Sequence, residues 1–541
     1  VSRRERRAEK TVGRRSARAA AKSKEAIARP PPPPLTEEER SAFRRGVALI
    51  ALSAVFLAVR GYAARVVGFG DAEALYASYA LHPQPAYLDH PGLVGILARA
   101  IGGGLAPRPE DAHRVTGLLA TLAPWVLVLV ARSLGAARHA AVAAGLVVAT
   151  VPELAIGLFG MTPDLLLYFA FLGAVGMAAV GLSEAPGTLR ASGALVSAGA
   201  LAGVAGASKV TGLLLFPALV FVYLADPAAK RHARTPWPWA GLSAGLVVLV
   251  PVLQHQVAHG WPMLRHRLVD TQAGAGASLR NLGALVGGQL VYVSPLLFAT
   301  AVALFVDLLR RRREDTVTRL LFAASAFPLA ALLPLCLWSR VAEPHWLAPA
   351  LLPLPLHAAR RAGAAIGWGA RLVGRRFLAA GAALGLVASL AVHAWVLVPS
   401  LLRFAPASYD PKLDIANELF GWPAATEGVR EVVGEGLRTT VVGPHWVICA
   451  QLEATLGAPG TARVGCLTEI GDDWSSWNPR ERWEKDDRVV FVTDERFPVD
   501  PAGLFPDRNV TSVRNVATFR GGRRVRTFTI TVLDRAARAR R

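Results

Sequence analysis

Long apolar runs alternate with short basic breaks through the first four hundred residues of this chain. A run of about 17–25 apolar residues can cross a bilayer, and in lipid it satisfies its own backbone only as a helix. The pattern predicts spans near residues 46–66, 114–131, 139–158, 164–182, 192–207, 210–225, 239–257, 283–306, 319–338, 346–359 and 377–399. The division between 192–207 and 210–225 rests on one polar break, Ser208-Lys209. After residue 400 the long runs stop, and short apolar stretches at Thr439 to Val442, Arg488 to Val492 and Val525 to Val532 predict strands among helical and turn-rich sequence. The expected fold class is a polytopic α-helical membrane protein of about eleven transmembrane helices with a C-terminal soluble α/β domain.

Charge refines this outline. The 541 residues are 53% hydrophobic and carry a formal net charge of +21, yet Arg and Lys gather at both ends and between apolar runs. That placement orients a protein in a lipid bilayer and calls for no nucleic-acid partner. Residues 1–45 are Arg- and Ala-rich, include the Pro30 to Pro34 run and show no apolar stretch with a small-residue cleavage site, so they predict a disordered basic cytoplasmic tail without a cleaved signal peptide. With that end inside, the basic connections Arg132 to Arg138, Glu184 to Arg190, Lys230 to Arg234, Arg310 to Arg313 and Arg360 to Arg376 all fall on the cytoplasmic side. The expected domains are the tail at 1–45, a membrane domain at 46–400 and an extracytoplasmic domain at 401–541, in the inner (cytoplasmic) membrane.

The same topology brings polar residues from separate loops to the outer face. Gly70-Asp71-Ala72-Glu73-Ala74-Leu75-Tyr76 and Tyr87-Leu88-Asp89-His90-Pro91 lie in the first outer loop, joined by Asp164, Lys209, the His259 to Asp270 loop and the Arg340 to His345 segment. Ionisable groups at a bilayer surface are functional candidates. A transport path would instead place such groups at mid-span, often in two repeated halves, and no such repeat is visible. Structural readings stand beside the functional ones: Asp71 as a helix N-cap, Glu73 as a first-turn acid, Thr162 and Pro163 opening a helix at Asp164, and Lys209 snorkelling at a helix end. Arg340 and His345 can serve as interfacial anchors, and Asp89 and His90 can organise the turn into Pro91. Gly274 and Gly276 would let the loop before them move as a flap.

Taken in order, the Asp71 and Asp89 motifs, Met161-Thr162-Pro163-Asp164, Ser208-Lys209-Val210-Thr211-Gly212 and Glu343-Pro344-His345-Trp346 resemble the C-type membrane glycosyltransferases of the protein O-mannosyltransferase and aminoarabinose transferase superfamily. The resemblance covers roughly residues 46–400, and Asp472-Asp473-Trp474-Ser475-Ser476-Trp477 extends it weakly into the C-terminal domain. It implies a C-type fold, a polyprenyl-phosphate-linked sugar donor and inverting transfer to an extracytoplasmic protein, lipid or glycan acceptor. The family commonly carries an adjacent Asp-Glu pair where this chain has Ala72 between Asp71 and Glu73.

Such chemistry needs a base for the acceptor hydroxyl and fixed positive charge for the departing phosphate. Asp71 is the first candidate base, Glu73 the second, and Asp164 a third catalytic candidate that reaches the acceptor or orients a first-loop group. Lys209, Arg340 and His345 are candidate donor-phosphate ligands. The resemblance also implies a divalent metal near the lipid phosphate, with Asp89 and His90 as candidate ligands and the ion's identity open. The competing reading is a non-enzymatic polytopic protein that binds or moves a lipid-linked glycan. No phosphate-binding Gly-rich loop, serine-hydrolase elbow, His-Glu-x-x-His pair or Cys-x-x-Cys pair is present, which removes the local basis for ATP-driven pumping, serine hydrolysis and zinc proteolysis. Of the three cysteines, Cys336 falls in a span, while Cys449 and Cys466 share the C-terminal domain, where pairing is left open.

Overall fold

The fold is seen in a computed structural model that describes residues 35–362, 371–433, 438–457 and 462–535. Most of the expected basic tail lies outside the described residues. The first helix, Glu37–Val66, begins nine residues before the apolar run because Thr36 and Glu39 form a reciprocal capping box and Glu37, Glu38 and Glu39 fill its first turn.

Among the described residues, seven helices are long and apolar enough to cross a membrane: Glu37–Val66, Pro109–Ser133, Pro163–Ser183, Leu189–Ser208, Trp237–Ala258, Thr316–Trp338 and Arg375–Leu397. Two bent pairs raise the number to nine if each counts as one span. The chain is a multi-pass membrane protein. The count falls short of eleven because the segments expected at 210–225 and 346–359 are built from short helices. Prolines at 349 and 353 mark the breaks in the second of these, and a ring at each position removes a backbone N–H donor.

Two expected spans are broken. Arg138–Val148 turns by 77° into Pro152–Phe159, at a residue preceding proline that disfavours helical backbone. Leu279–Tyr292 turns by 107° into Pro295–Arg311. There Ser294 adopts φ 78°, its side chain accepts from Leu297 N, and Pro295 opens the next helix.

The division at Ser208-Lys209 is real. Leu189–Ser208 ends there, Lys209 is extended, and a short 3-10 turn Val210–Leu214 leads into Leu215–Ala225. Gly199 and Gly203 set Leu189–Ser208 directly against Gly241 and Gly245 of Trp237–Ala258. A Cβ at Gly199 would lie 2.0 Å from the Gly241 carbonyl carbon, and one at Gly203 2.3 Å from the Gly245 oxygen. This is the close backbone approach that small residues four apart allow between membrane helices.

The C-terminal sheet has five strands: β1 (Thr439–Gly443), β2 (Arg463–Cys466), β3 (Arg488–Asp494), β4 (Arg508–Arg520) and β5 (Arg523–Arg535), in the order β2-β1-β3-β5-β4. β2, β1 and β3 run parallel, while β5 pairs antiparallel with β3 and β4. Helix Trp446–Leu456 follows β1, and Cys449 within it is bonded to Cys466 at the end of β2. One hydrophobic core joins the first-loop residues Tyr76, Tyr79 and Tyr87 to Trp422, Ile448, Trp474 and Phe528 of the C-terminal part. The sheet domain is thereby packed onto the loop that carries the acids.

Candidate active site

Asp164 occupies the second position of helix Pro163–Ser183, and Lys209 occupies the break after Leu189–Ser208. Lys209 Nζ donates to both carboxylate oxygens of Asp164 at 2.8 Å. Thr162 is the N-cap residue by position, but its side chain makes no capping bond and its buried hydroxyl has no partner among the described residues. Glu153, in the second half of the first broken span, faces the same Lys209 and Asp164 charges.

The Asp89-His90 turn meets this pair. Tyr87 N donates to the His90 carbonyl at 2.9 Å, and Gly92 lies so close to the Gln84 carbonyl that a Cβ there would sit 2.3 Å from its oxygen. The His90 ring packs edge-on to Tyr76 at 5.5 Å and lies in the field of Lys209, Asp89, Arg267 and Asp164. Burial, with Lys209 close by, holds the His90 imidazole down at about 3, so it is neutral at physiological pH. Burial, aided by the Asp89 and Asp164 carboxylates, raises the Tyr76 phenol well above its usual range.

Two further segments close the group. The His259 to Asp270 loop enters through Gly260 and Trp261, both at positive φ, and brings Arg267 Nη2 to 2.8 Å from Asp89 Oδ1 and His266 to 3.6 Å from the same oxygen. Arg267 also lies over the Trp346 ring at 5.9 Å. The Glu343 to Trp346 segment is pinned by Gln289, whose Nε2 donates to the Pro344 carbonyl at 2.7 Å. Glu343 and His345 are 3.1 Å apart, and the His345 contact, opposed by burial, keeps the Glu343 carboxyl below its usual range. His345 acts on Asp164, and Glu343 feels Lys209 and Arg267. Asp89, His90, Asp164, Lys209 and His345, five of the eight residues expected from the sequence, thus share one electrostatic group.

The other three lie elsewhere. Arg340 donates from Nη1 to the Ala273 carbonyl at 3.0 Å and lines a cavity of about 730 Å³ with Arg280, Asn281 and Glu343. Glu343 connects that cavity to the Lys209 group. Asp71 is buried, and its side chain pairs with Arg496 Nη1 at 2.8 Å and accepts from Gln451 Nε2 at 3.4 Å, both in the C-terminal domain. Gly70, not Asp71, is the N-cap of helix Asp71–Ser78. Glu73 accepts from Gly70 N at 3.0 Å and Met161 N at 2.7 Å and contacts His113 at 3.0 Å. Burial opposes ionisation of Glu73, yet His113 and the two backbone donors outweigh it and hold the carboxyl below its usual range.

Among the described residues, Asp89 and His90 gather no third ligand for a metal ion. Asp89 already carries a guanidinium, Lys209 and Arg267 surround His90, and no three His, Cys, Asp or Glu side chains gather to hold an ion among the described residues. Sequence reasoning missed Arg267 and His266 as individual residues because they sit in a loop with no periodic pattern. The unusual density of His and Arg between residues 259 and 270 was the available signal.

The sequence pattern of the dolichyl-phosphate-mannose-protein mannosyltransferase family matches residues 90–255. No curated protein matches the chain. The fold is similar to that of ArnT from Cupriavidus metallidurans in the apo state, with 16% identity and a TM-score of 0.58 over 90% of this chain and 98% of that one. It is also similar to the structure of ArnT from the same organism bound to undecaprenyl phosphate, with 15% identity and a TM-score of 0.57 over the same shares. By its family pattern over residues 90–255 and by its fold, this chain is similar to the C-type membrane glycosyltransferases represented by the dolichyl-phosphate-mannose-protein mannosyltransferases and ArnT.

Proposed function

We propose that the chain transfers a hexosyl or pentosyl group from a polyprenyl-phosphate-linked donor to an extracytoplasmic lipid, glycan or protein acceptor, in the inner membrane with its N-terminus cytoplasmic. The observation that carries this reading is the convergence of Lys209, Arg267 and His345 with the carboxylates of Asp89 and Asp164. A sugar phosphate leaving group gains negative charge as its bond to the sugar breaks, and cations fixed in a water-poor site stabilise that charge. The undecaprenyl phosphate in the second ArnT structure supports a lipid phosphate as the group bound.

In this reaction an acceptor hydroxyl oxygen attacks the sugar's anomeric carbon and the bond from that carbon to the phosphate oxygen breaks. The electron pair leaves with the polyprenyl phosphate, and a carboxylate takes the hydroxyl proton. Asp89 meets Arg267 through Oδ1 alone in its closest contact, whereas Lys209 donates to both Asp164 oxygens. Asp89 is therefore the carboxylate best placed to take the proton, with Asp164 orienting Lys209. The roughly 730 Å³ cavity beside Arg340 supplies room for a substrate next to the group.

The test is transfer from radiolabelled undecaprenyl-phosphate sugars to membrane acceptors by the parent and by folded Asp89→Asn and Lys209→Met variants. Transfer by the parent that both variants lose supports the reading. Equal transfer by all three removes this group from the reaction, and a parent that binds undecaprenyl phosphate but never transfers across a wide donor set makes it a binding protein.

A further inference from the structure

The turn bearing Asp89 and His90 is gripped from the C-terminal domain. Asp473 Oδ1 accepts from Leu88 N at 3.1 Å, one residue before Asp89, and its Oδ2 accepts from Tyr79 Oη at 3.4 Å. Asp473 is buried, and neighbouring contacts fix it from both sides. Trp474 beside it is buried and donates from Nε1 to Glu453, which is 2.8 Å from His82 of the first loop. His82 stacks on Trp477 at 4.1 Å, and Tyr79 stacks on Tyr87 at 3.5 Å. The Tyr87 hydroxyl donates to the Tyr79 and His82 carbonyls, so the loop is closed on itself as well as on the domain.

We infer that Asp473 is a positioning residue: through Leu88 N it sets where Asp89 and His90 stand, so that the C-terminal domain fixes the donor-phosphate site. The inference rests on the proposed reading of that site. Removing the carboxyl oxygen that Leu88 N bonds leaves a buried backbone donor unpaired, which costs more than the bond itself contributes. Asp89 follows Leu88 directly in the chain, so a shift of the Leu88 backbone moves the carboxylate that meets Arg267 at 2.8 Å. An amide at position 473 keeps a carbonyl acceptor for Leu88 N, whereas a methyl group keeps none.

The experiment uses the full chain in lipid nanodiscs and compares the parent with Asp473→Ala, Asp473→Asn and the control Asp500→Ala, which removes only a cap on Ala502 N. Two quantities are read: hydrogen exchange of peptides covering residues 84–92, and binding of undecaprenyl phosphate, followed by donor KM and kcat. Asp473→Ala is expected to speed exchange at 84–92 and weaken undecaprenyl phosphate binding by about 10- to 100-fold, as small misplacements of a positioned group do. Asp473→Asn is expected to restore both nearly to the parent, and Asp500→Ala to change neither. Unchanged exchange in a folded Asp473→Ala overturns the inference whatever the activity. If Asp473→Ala does not fold, faster exchange at 84–92 in Asp473→Asn overturns it. Should the parent fail to bind undecaprenyl phosphate while Asp473→Ala still loosens 84–92, the donor reading fails and the grip of Asp473 on the turn stands.

Discussion

Lys209 Nζ lies 2.8 Å from each carboxylate oxygen of Asp164, joining a helix break to a helix start 45 residues earlier in the chain. Lys209 is almost wholly buried, and each charge compensates the other where water is scarce. Removing one partner from such a pair leaves the other uncompensated, which typically costs about 3–5 kcal/mol when both are fully buried. Asp164 keeps some exposure, so the expected loss for Lys209→Met is toward the low end of that range. Thermal unfolding in detergent checks it. The double variant Lys209→Met/Asp164→Asn should regain much of the stability and none of the transfer, because the phosphate still lacks its cation.

Glu73 makes its contribution to stability depend on pH. Its folded carboxyl is held below its ordinary value of about 4.5, with burial opposing and His113, Gly70 N and Met161 N prevailing. For a depressed acid the contribution is present above the unfolded pKa and is lost as pH falls through the folded one. At pH 7 the parent should exceed Glu73→Gln by about 1–3 kcal/mol, the scale for mispaired buried donors. The gap should close progressively below pH 4.5. A gap independent of pH between 3 and 7 would show that shape and not charge holds Met161 in place.

The apolar runs made the membrane class, most span positions and the change of character near residue 400 legible, because burial in lipid demands long uninterrupted sequence. They did not reveal where helices break. The Ser294-Pro295 bend needs a capping hydroxyl and a positive φ, which hydropathy does not record. At the site, lone charges in apolar surroundings stood out, so Asp164 and Lys209 were visible, as was the Asp89-His90 turn. Asp71 looked the same in sequence, but its partner Arg496 lies 425 residues away on the loop after β3. Only the docking of the sheet domain on the first loop separates the two cases.

The disulfide between Cys449 and Cys466 ties helix Trp446–Leu456 to β2 across 17 residues. Closing a loop of about that length removes roughly 3 kcal/mol of unfolded-chain entropy in the simplest treatment. The same helix carries Gln451 and Glu453, which touch Asp71 and His82. Reduction, or Cys449→Ser, should therefore lower the unfolding temperature and raise hydrogen exchange in the loop after the first helix as well as in the sheet. Peptide mapping under non-reducing conditions establishes the bond, and exchange confined to 446–466 would show that the loop does not depend on it.

Asp71 and Arg496 decide which carboxylate acts. Arg496 donates from Nη1 to Asp71 and from Nε to Asp494, while Arg526 lies 3.6 Å from Asp494. Glu418 approaches Asp71 N, and burial together with the Asp71 charge pushes its carboxyl up to about 7. Arg496→Met would leave the buried Asp71 without a cation and Asp494 with only Arg526 at 3.6 Å, so a loss of about 3–5 kcal/mol is expected. Asp71→Asn removes one negative charge from a group that keeps Asp494, so its loss should be smaller, near the 1–3 kcal/mol of a charged hydrogen bond. The double variant should recover part of the Arg496→Met loss. Because neither side chain reaches the Lys209 group through any hydrogen bond or ion pair seen in the structure, Asp71→Asn should also keep most of its transfer activity. Transfer abolished in a fully stable Asp71→Asn would instead make Asp71 the base. Arg496 would then have to release it before each turnover, and the C-terminal domain would have to shift on the first loop for the reaction to proceed.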